Sequence, residues 1–313
     1  MHRIGIDLGG TKIAGIVLDP DGRQCAEARI ATPREDYAGT VAAIAGLVAD
    51  LERRAAIPAA SASVGVGMPG SLSLKTGLVK NANSTWLIGK PFDRDLAAAL
   101  RRPVRVENDA NCLAVSEATD GAGKGAHVVF AVIAGTGVGG GIAVGGAPFA
   151  GANAIAGEWG HNPLPWPTVA ELPGPDCYCG KQGCVETWLS GPGMAADHRR
   201  ATGQVLDGVA IGKAAESGDA DAQATLARWR ERLARSLAVV VNILDPDIIV
   251  IGGGVSRLES IYGPLPALLS KWCFSDGVST PVRPALHGDA SGVRGAAWLW
   301  PPGSGAQNGG DRR

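Results

Sequence analysis

The chain lacks any marked excess of charge: 29 lysines and arginines stand against 30 aspartates and glutamates, for a net charge of −1. That balance removes the basic footprint by which nucleic acids and anionic membrane surfaces are held. Long apolar runs are missing too, and none approaches the ~20 residues needed to cross a bilayer. The first apolar strand begins almost at Met1, which leaves no space for a signal peptide, a transit peptide or an amino-terminal DNA-binding module, so a cytoplasmic protein is expected. Also absent is Gly-x-x-x-x-Gly-Lys-Ser/Thr, which excludes a P-loop enzyme. Without an export signal, the six cysteines do not read as a disulfide framework. What is left is an ordinary balance, 45% hydrophobic and 19% charged over 313 residues, enough for two domains with sizeable cores.

Two glycine-rich turns, each between apolar strands, are the strongest positive signal. The first joins residues 4–8 to 13–18 through Gly9-Gly10-Thr11-Lys12, and the second joins 130–134 to 138–144 through Gly135-Thr136-Gly137. Subtracting 9 from 135 and 15 from 141 gives the same offset, 126, so glycines recur in register as in one supersecondary unit used twice. Glycine permits close approach of backbone N–H groups to an anion, and two such hairpins facing each other would grip a polyphosphate. A nucleotide cleft between two related domains is therefore expected. Asp7, at the end of its strand, suits Mg²⁺, which takes one or two protein oxygens plus substrate phosphates. Thr11 and Thr136 offer hydroxyl and backbone hydrogen bonds to phosphate oxygens. Lys12 either neutralises phosphate charge or is a solvated residue of the second strand. A strand rather than a helix follows the second turn, which sets it apart from a Rossmann turn. Gly252-Gly253-Gly254, after the apolar run 248–251, would let a base or ribose lie against bare backbone.

Coarse patterning places these motifs. Asp21-Gly22 signals a hairpin, and Asp36 caps a helix with apolar positions Val41, Ile44, Ala45, Val48 and Leu51. Short strands are expected at 64–67 and 104–106, a helix at 91–100, and another from Asn108-Asp109-Ala110-Asn111 to about Thr119. Leu226, Trp229, Leu233, Leu237, Val240 and Leu244 step through a long helix that Pro246 ends. Sites in open α/β sheets lie beyond the carboxyl ends of strands, so the 108–109 junction is a prime candidate. Asp109 there could accept the proton of an attacking hydroxyl, since an ordinary aspartate, with a pKa of about 3.9, is ionised at neutral pH. Asn108 or Asp109 could instead simply cap the following helix.

Cys177-Tyr178-Cys179-Gly180-Lys181-Gln182-Gly183-Cys184 sets three thiols within eight positions. With His161 they complete a Cys₃His shell for tetrahedral zinc, closed to water and hence structural. The other ring nitrogen of His161 would be free to reach a ligand. Cys25, Cys112 and Cys273, isolated in apolar stretches, read as buried core residues.

These motifs resemble the ROK family of sugar kinases and sugar-responsive repressors over about residues 3–300. The resemblance rests on Asp7-Leu8-Gly9-Gly10-Thr11-Lys12, Asn108-Asp109-Ala110-Asn111, Gly135-Thr136-Gly137, Glu158-Trp159-Gly160-His161, Cys177-x-Cys179-Gly180-x-x-Gly183-Cys184-x-Glu186 and Gly252-Gly253-Gly254, in that order. Residues 81–86, 158–166 and 292–300 look like the bacterial fructokinase (mannokinase) branch. The resemblance implies an α/β, actin-like ATPase fold: two ribonuclease-H-like domains, a cleft between them and a zinc-stapled insertion. It implies ATP, Mg²⁺ and structural Zn²⁺ as cofactors, a small hexose as substrate, and a homodimer without nucleic-acid or membrane partners. D-fructose phosphorylated at O6 is the first expectation; mannose, glucose or an N-acetylhexosamine is the alternative.

By the same likeness Asp109 is the catalytic base, and Asn83, Asn108, Asp109, Glu158, His161 and Glu186 bind sugar. Asp7, Gly9, Gly10, Thr11, Lys12, Gly135, Thr136, Gly137, Gly253 and Gly254 bind nucleotide, and His161, Cys177, Cys179 and Cys184 bind zinc. The expected division is a small α/β domain over 1–112, a large one over 113–290 carrying the zinc loop 161–184, a helix at 291–300 packing back on the small domain, and a disordered tail over 301–313. Two rivals follow from the same motifs: a sugar-sensing regulator, disfavoured without a helix-turn-helix, and an actin-like or chaperone-type ATPase.

Overall fold

In the computed structural model, which describes residues 1–301, the larger sheets are two, each of five strands. Residues 302–313, nearly all of the segment expected to be disordered, lie outside the described residues. The chain begins with β1 (Arg3–Leu8), β2 (Lys12–Leu18), β3 (Gln24–Ala31), α1 (Tyr37–Arg54), β4 (Ser63–Met68), β5 (Ser71–Leu72) and β6 (Val79–Lys80). It continues through α2 (Phe92–Leu100), β7 (Val104–Asn108), α3 (Asp109–Thr119), β8 (Val128–Ala134), β9 (Val138–Val144) and β10 (Ala147–Pro148). Then come α4 (Val185–Leu189), α5 (Gly191–Thr202), α6 (Gly208–Glu216), α7 (Ala220–Leu244), β11 (Ile248–Gly252), α8 (Leu265–Trp272), β12 (Val282–Pro284) and α9 (Ser291–Trp298).

The sheets run β3-β2-β1-β4-β7 and β10-β9-β8-β11-β12. Each sets its glycine-turn hairpin beside two successive parallel strands, β4 and β7 in one and β11 and β12 in the other. That is the repeated unit legible in the glycine offset. Compactness divides the chain into one unit of Met1–Lys124, Gly141–Ala156 and Ala290 onward, and a second of Gly125–Gly140 and Gly157–Asp289.

Alternation explains the first unit. Ile4, Ile6, Val64 and Val66 join Ile44, Leu47, Val48 and Leu51 of α1 in one apolar core. Gly5 and Gly65 face the other way, and a methyl group on either would collide with the carbonyl oxygens of Val293 or Ala296 in α9. Glycine there lets α9 lie directly on the strands, and Trp300 fastens its end through Nε1 to the Val64 carbonyl at 2.7 Å. The boundary expected at residue 112 is not where the unit ends. Gly295 of α9 packs on the Cys112 carbonyl, and Ile142 N–H donates to Asn111 Oδ1 at 3.1 Å, so α3 and the end of β9 belong with the first unit. Cys25 also departs from expectation. Positions 25, 27 and 29 of the edge strand β3 are exposed while 26, 28 and 30 are half-buried, so period-2 alternation turns that thiol outward. Cys112 and Cys273 are buried.

In the second unit an ion network fastens the long loop before α4 to α7. The Glu171 side chain, 8% exposed, takes hydrogen bonds from Arg232 Nε at 2.8 Å and Arg235 Nη2 at 2.8 Å. Burial would raise the Glu171 carboxyl, but these arginines and the Thr168 N–H overcome it and hold the pKa at about 2. Glu171→Gln should destabilise the fold by about 3–5 kcal/mol, the scale for stripping a partner from buried charges. The wild-type contribution is complete above the ordinary glutamate pKa, near 4.3, and is lost as pH falls toward 2. Melting curves from pH 7 to pH 3 check this, and equal midpoints for wild type and variant at pH 7 would refute it.

Candidate active site and metal centre

The first unit holds the opening glycine turn and the strand-to-helix junction. Gly9 N–H donates to the Lys12 carbonyl at 3.0 Å, closing the turn. Thr32 braces it from β3's end, with Oγ1 on the Gly9 carbonyl at 2.8 Å and N–H on the Thr11 carbonyl at 3.1 Å. Gly10, Thr11 and Lys12 are exposed, so the turn's surface is open to a ligand. Asn83 is exposed too, and its neighbour Ser84 is the side chain nearest Gly10. Burial raises the Asp7 carboxyl while Lys12 pulls the other way.

Asn108 takes the capping part. Its Oδ1 accepts from Ala110 N at 2.9 Å and Asn111 N at 3.3 Å, and Nδ2 donates to the Gly70 carbonyl at 3.1 Å. Asp109 is the first residue of α3, with Oδ1 2.8 Å from Ala110 N. The Cys112 thiol is pushed well up by burial and, further, by the charges of Glu107, Asp7 and Asp109. A cavity of about 900 Å³ opens beside Asn108, lined also by Ser71, Arg105, Glu107 and Phe149.

The second unit holds the other turn. Gly135 N–H donates to the Gly137 carbonyl at 3.0 Å, and Gly191 N–H reaches the Gly135 carbonyl at 2.8 Å. Gly135, Thr136 and Gly254 line a cavity of about 780 Å³, together with Asp207, Lys213 and Arg257. Gly253 has φ of +84°, and its backbone passes so close to Ala134 that a side chain would collide with the carbonyl. Among these wall residues, Asp207, Lys213 and Arg257 escaped the sequence reading. The signal was slight: Asp207 caps α6.

Trp159 sets the Glu158–His161 segment. Its ring is buried edge-on against Phe130, with centroids 5.7 Å apart, and Nε1 donates to the Gly139 carbonyl at 3.0 Å. Glu158 is left exposed and His161 half-buried. The ligand atoms of His161, Cys177, Cys179 and Cys184 all lie within 4.8 Å of one another. Cys179 and Cys184 sulfurs are 3.6 Å apart, and Cys177 sulfur is 3.6 Å from His161 Nδ1. Tetrahedral zinc with bonds of roughly 2.3 Å to sulfur separates its sulfurs by about 3.7 Å, so donor set and spacing both fit that ion. Burial and the neighbouring thiols push Cys184 up to about 12, while the Lys181 backbone draws Cys179 down.

Two placements differ from expectation. His161 Nε2 is not free, because the Tyr178 hydroxyl sits 3.0 Å from it with the two rings edge to face. Glu186 Oε2 accepts from Val138 N–H at 2.9 Å, which ties it to the second glycine turn. No spacing rule announces either bond.

Among the described residues, no helix is long and apolar enough to cross a membrane. The ROK family model matches residues 3–302, and the chain belongs to the ROK family. An N-acetyl-D-glucosamine kinase of Citrobacter koseri is 40% identical over 299 residues, which cover 94% of this chain and 98% of that one. A ROK hexokinase from Thermus thermophilus superposes with a TM-score of 0.82 at 31% identity, covering 96% of this chain and 97% of that one. A ROK family glucokinase from Streptomyces griseus, solved with glucose and AMPPNP, gives 0.76 at 30% identity, with 96% and 99% covered. The repeated α/β halves are those of this kinase fold. The fructokinase branch expected from residues 81–86, 158–166 and 292–300 is not what these relatives are: they are an N-acetyl-D-glucosamine kinase, a hexokinase and a glucokinase.

Proposed function

We propose that this protein is an ATP-dependent sugar kinase whose acceptor is an N-acetylhexosamine, N-acetyl-D-glucosamine first, phosphorylated on the 6-hydroxyl. One observation carries the chemistry: Asp109 opens α3 in the same unit as the first glycine turn, with Asp7 and Asp109 both acting on Cys112. Phosphoryl transfer needs an aligned acceptor, a group to take its proton, and neutralised phosphate charge. Asp109 takes the hydroxyl proton. Asn83, Asn108, Glu158, His161 and Glu186 fix the remaining sugar hydroxyls.

Gly9–Lys12 and Gly135–Gly137 present backbone N–H groups to phosphates, and Gly253–Gly254 lie against the nucleoside. Asp7 would hold magnesium, whose charge would offset that of the phosphates. His161, Cys177, Cys179 and Cys184 would hold zinc as a staple for a loop without its own core.

The acceptor rests on the N-acetyl-D-glucosamine kinase likeness, which spans nearly the whole chain. A panel of N-acetylglucosamine, N-acetylmannosamine, glucose, mannose and fructose tests it. The expected kcat/KM for N-acetylglucosamine exceeds that for fructose at least about tenfold, the smaller end of what one differing group supports. A preference for fructose would return the acceptor to the first expectation.

A further inference from the structure

We infer that Glu186 is the positioning residue of the second glycine turn: its carboxylate holds the 135–137 loop in the shape that receives a nucleotide's phosphates. The inference rests on the kinase reading and gives this residue a part toward the nucleotide, beside its part toward the sugar. Glu186 lies in the first turn of the five-residue helix α4. From there Oε2 takes the Val138 N–H at 2.9 Å, a charge-assisted bond to the residue that ends the turn.

Contact with the turn continues one residue back. A side chain on Gly137 would stand 2.5 Å from the same oxygen, so glycine is what leaves the carboxylate its seat. The start of α5, just past α4, supplies the other anchor, where Gly191 N–H binds the Gly135 carbonyl at 2.8 Å. Both ends of the turn are thus fixed by the segment that follows Cys184. Thr187 bonds back to the Cys184 carbonyl through N–H at 2.9 Å and Oγ1 at 2.7 Å, so the thiol knot sets where α4 begins. Gly135 and Thr136, the residues held between, line the 780 Å³ cavity with Lys213 and Arg257.

A residue that only binds sugar would not alter nucleotide affinity when sugar is absent. Calorimetric titration of the full chain with the magnesium complex of a non-hydrolysable ATP analogue, without sugar, reads this directly. Glu186→Ala should weaken binding roughly tenfold, the scale of one hydrogen bond to a charged group. Glu186→Gln, which keeps an acceptor oxygen but not the charge, should lose about threefold. Affinities within twofold of wild type in both variants, with only the sugar KM raised, would overturn the inference.

Should the alanine variant melt, amide exchange on the glutamine variant supplies the second readout. Faster exchange of the Val138 amide supports the anchor, and unchanged protection overturns it. A wild-type chain that binds no nucleotide would instead fail the kinase reading itself.

Discussion

Asp109→Asn is expected to lower kcat by on the order of 10²–10⁴, the usual worth of a positioned acid–base group, with the sugar KM little changed. The substitution keeps size and hydrogen-bonding capacity while removing the ability to take a proton. Helix α3 should tolerate it, because Asn108 caps both Ala110 N and Asn111 N and the asparagine keeps an oxygen for the bond that Asp109 Oδ1 takes from Ala110 N. The effect should therefore fall on turnover and not on folding. Steady-state kinetics with a melting control measures both, and near-full turnover in a folded variant would remove Asp109 from the base role.

The next largest effect belongs to the thiol cluster. Cys179→Ser is expected to lose the bound metal and to melt well below wild type. The loop that carries His161 and the three cysteines leaves much of its apolar surface in solvent: Leu172, Tyr178 and Val169 are 60%, 83% and 90% exposed. The Arg232–Glu171–Arg235 network fastens one end, and the proposed metal would fasten the other. Structural zinc supplies folding free energy outright, so a three-ligand remnant should bind weakly. Elemental analysis should find about one zinc per wild-type chain and little in the variant. Equal metal content in the two proteins would exclude Cys179 from the shell.

The parts of this molecule that were legible in its sequence are those whose physics is local. Glycine turns between alternating apolar residues announced the two hairpins, and the constant offset announced their repetition. Asp36 followed by apolar steps of three and four gave α1, whose N-cap does accept from Gly39 N at 2.8 Å. The Cys-x-Cys motif with a histidine nearby announced a cluster of four donor side chains, which the fold does bring together, because donor chemistry is written in residue type.

What escaped depends on partners distant in the chain. The unit boundary turns on Gly295 meeting Cys112, a pair far apart in sequence. Cys25 reads as apolar core until its strand is known to be an edge with one face in solvent. Tyr178 reaches His161, and Glu186 reaches Val138, only because a loop folds over. The acceptor sugar is harder still. A hydroxyl against an acetamido group changes a few contacts, and no glycine turn or cysteine spacing encodes them.

The central claim is phosphoryl transfer from ATP to a sugar hydroxyl, and a coupled ADP-release assay with and without N-acetylglucosamine tests it most directly. Negligible release is expected from Mg-ATP alone, and rapid release, matched mole for mole by sugar phosphate, once the sugar is added. Release at the same rate without any sugar would contradict it and mark the protein as an ATPase of another kind.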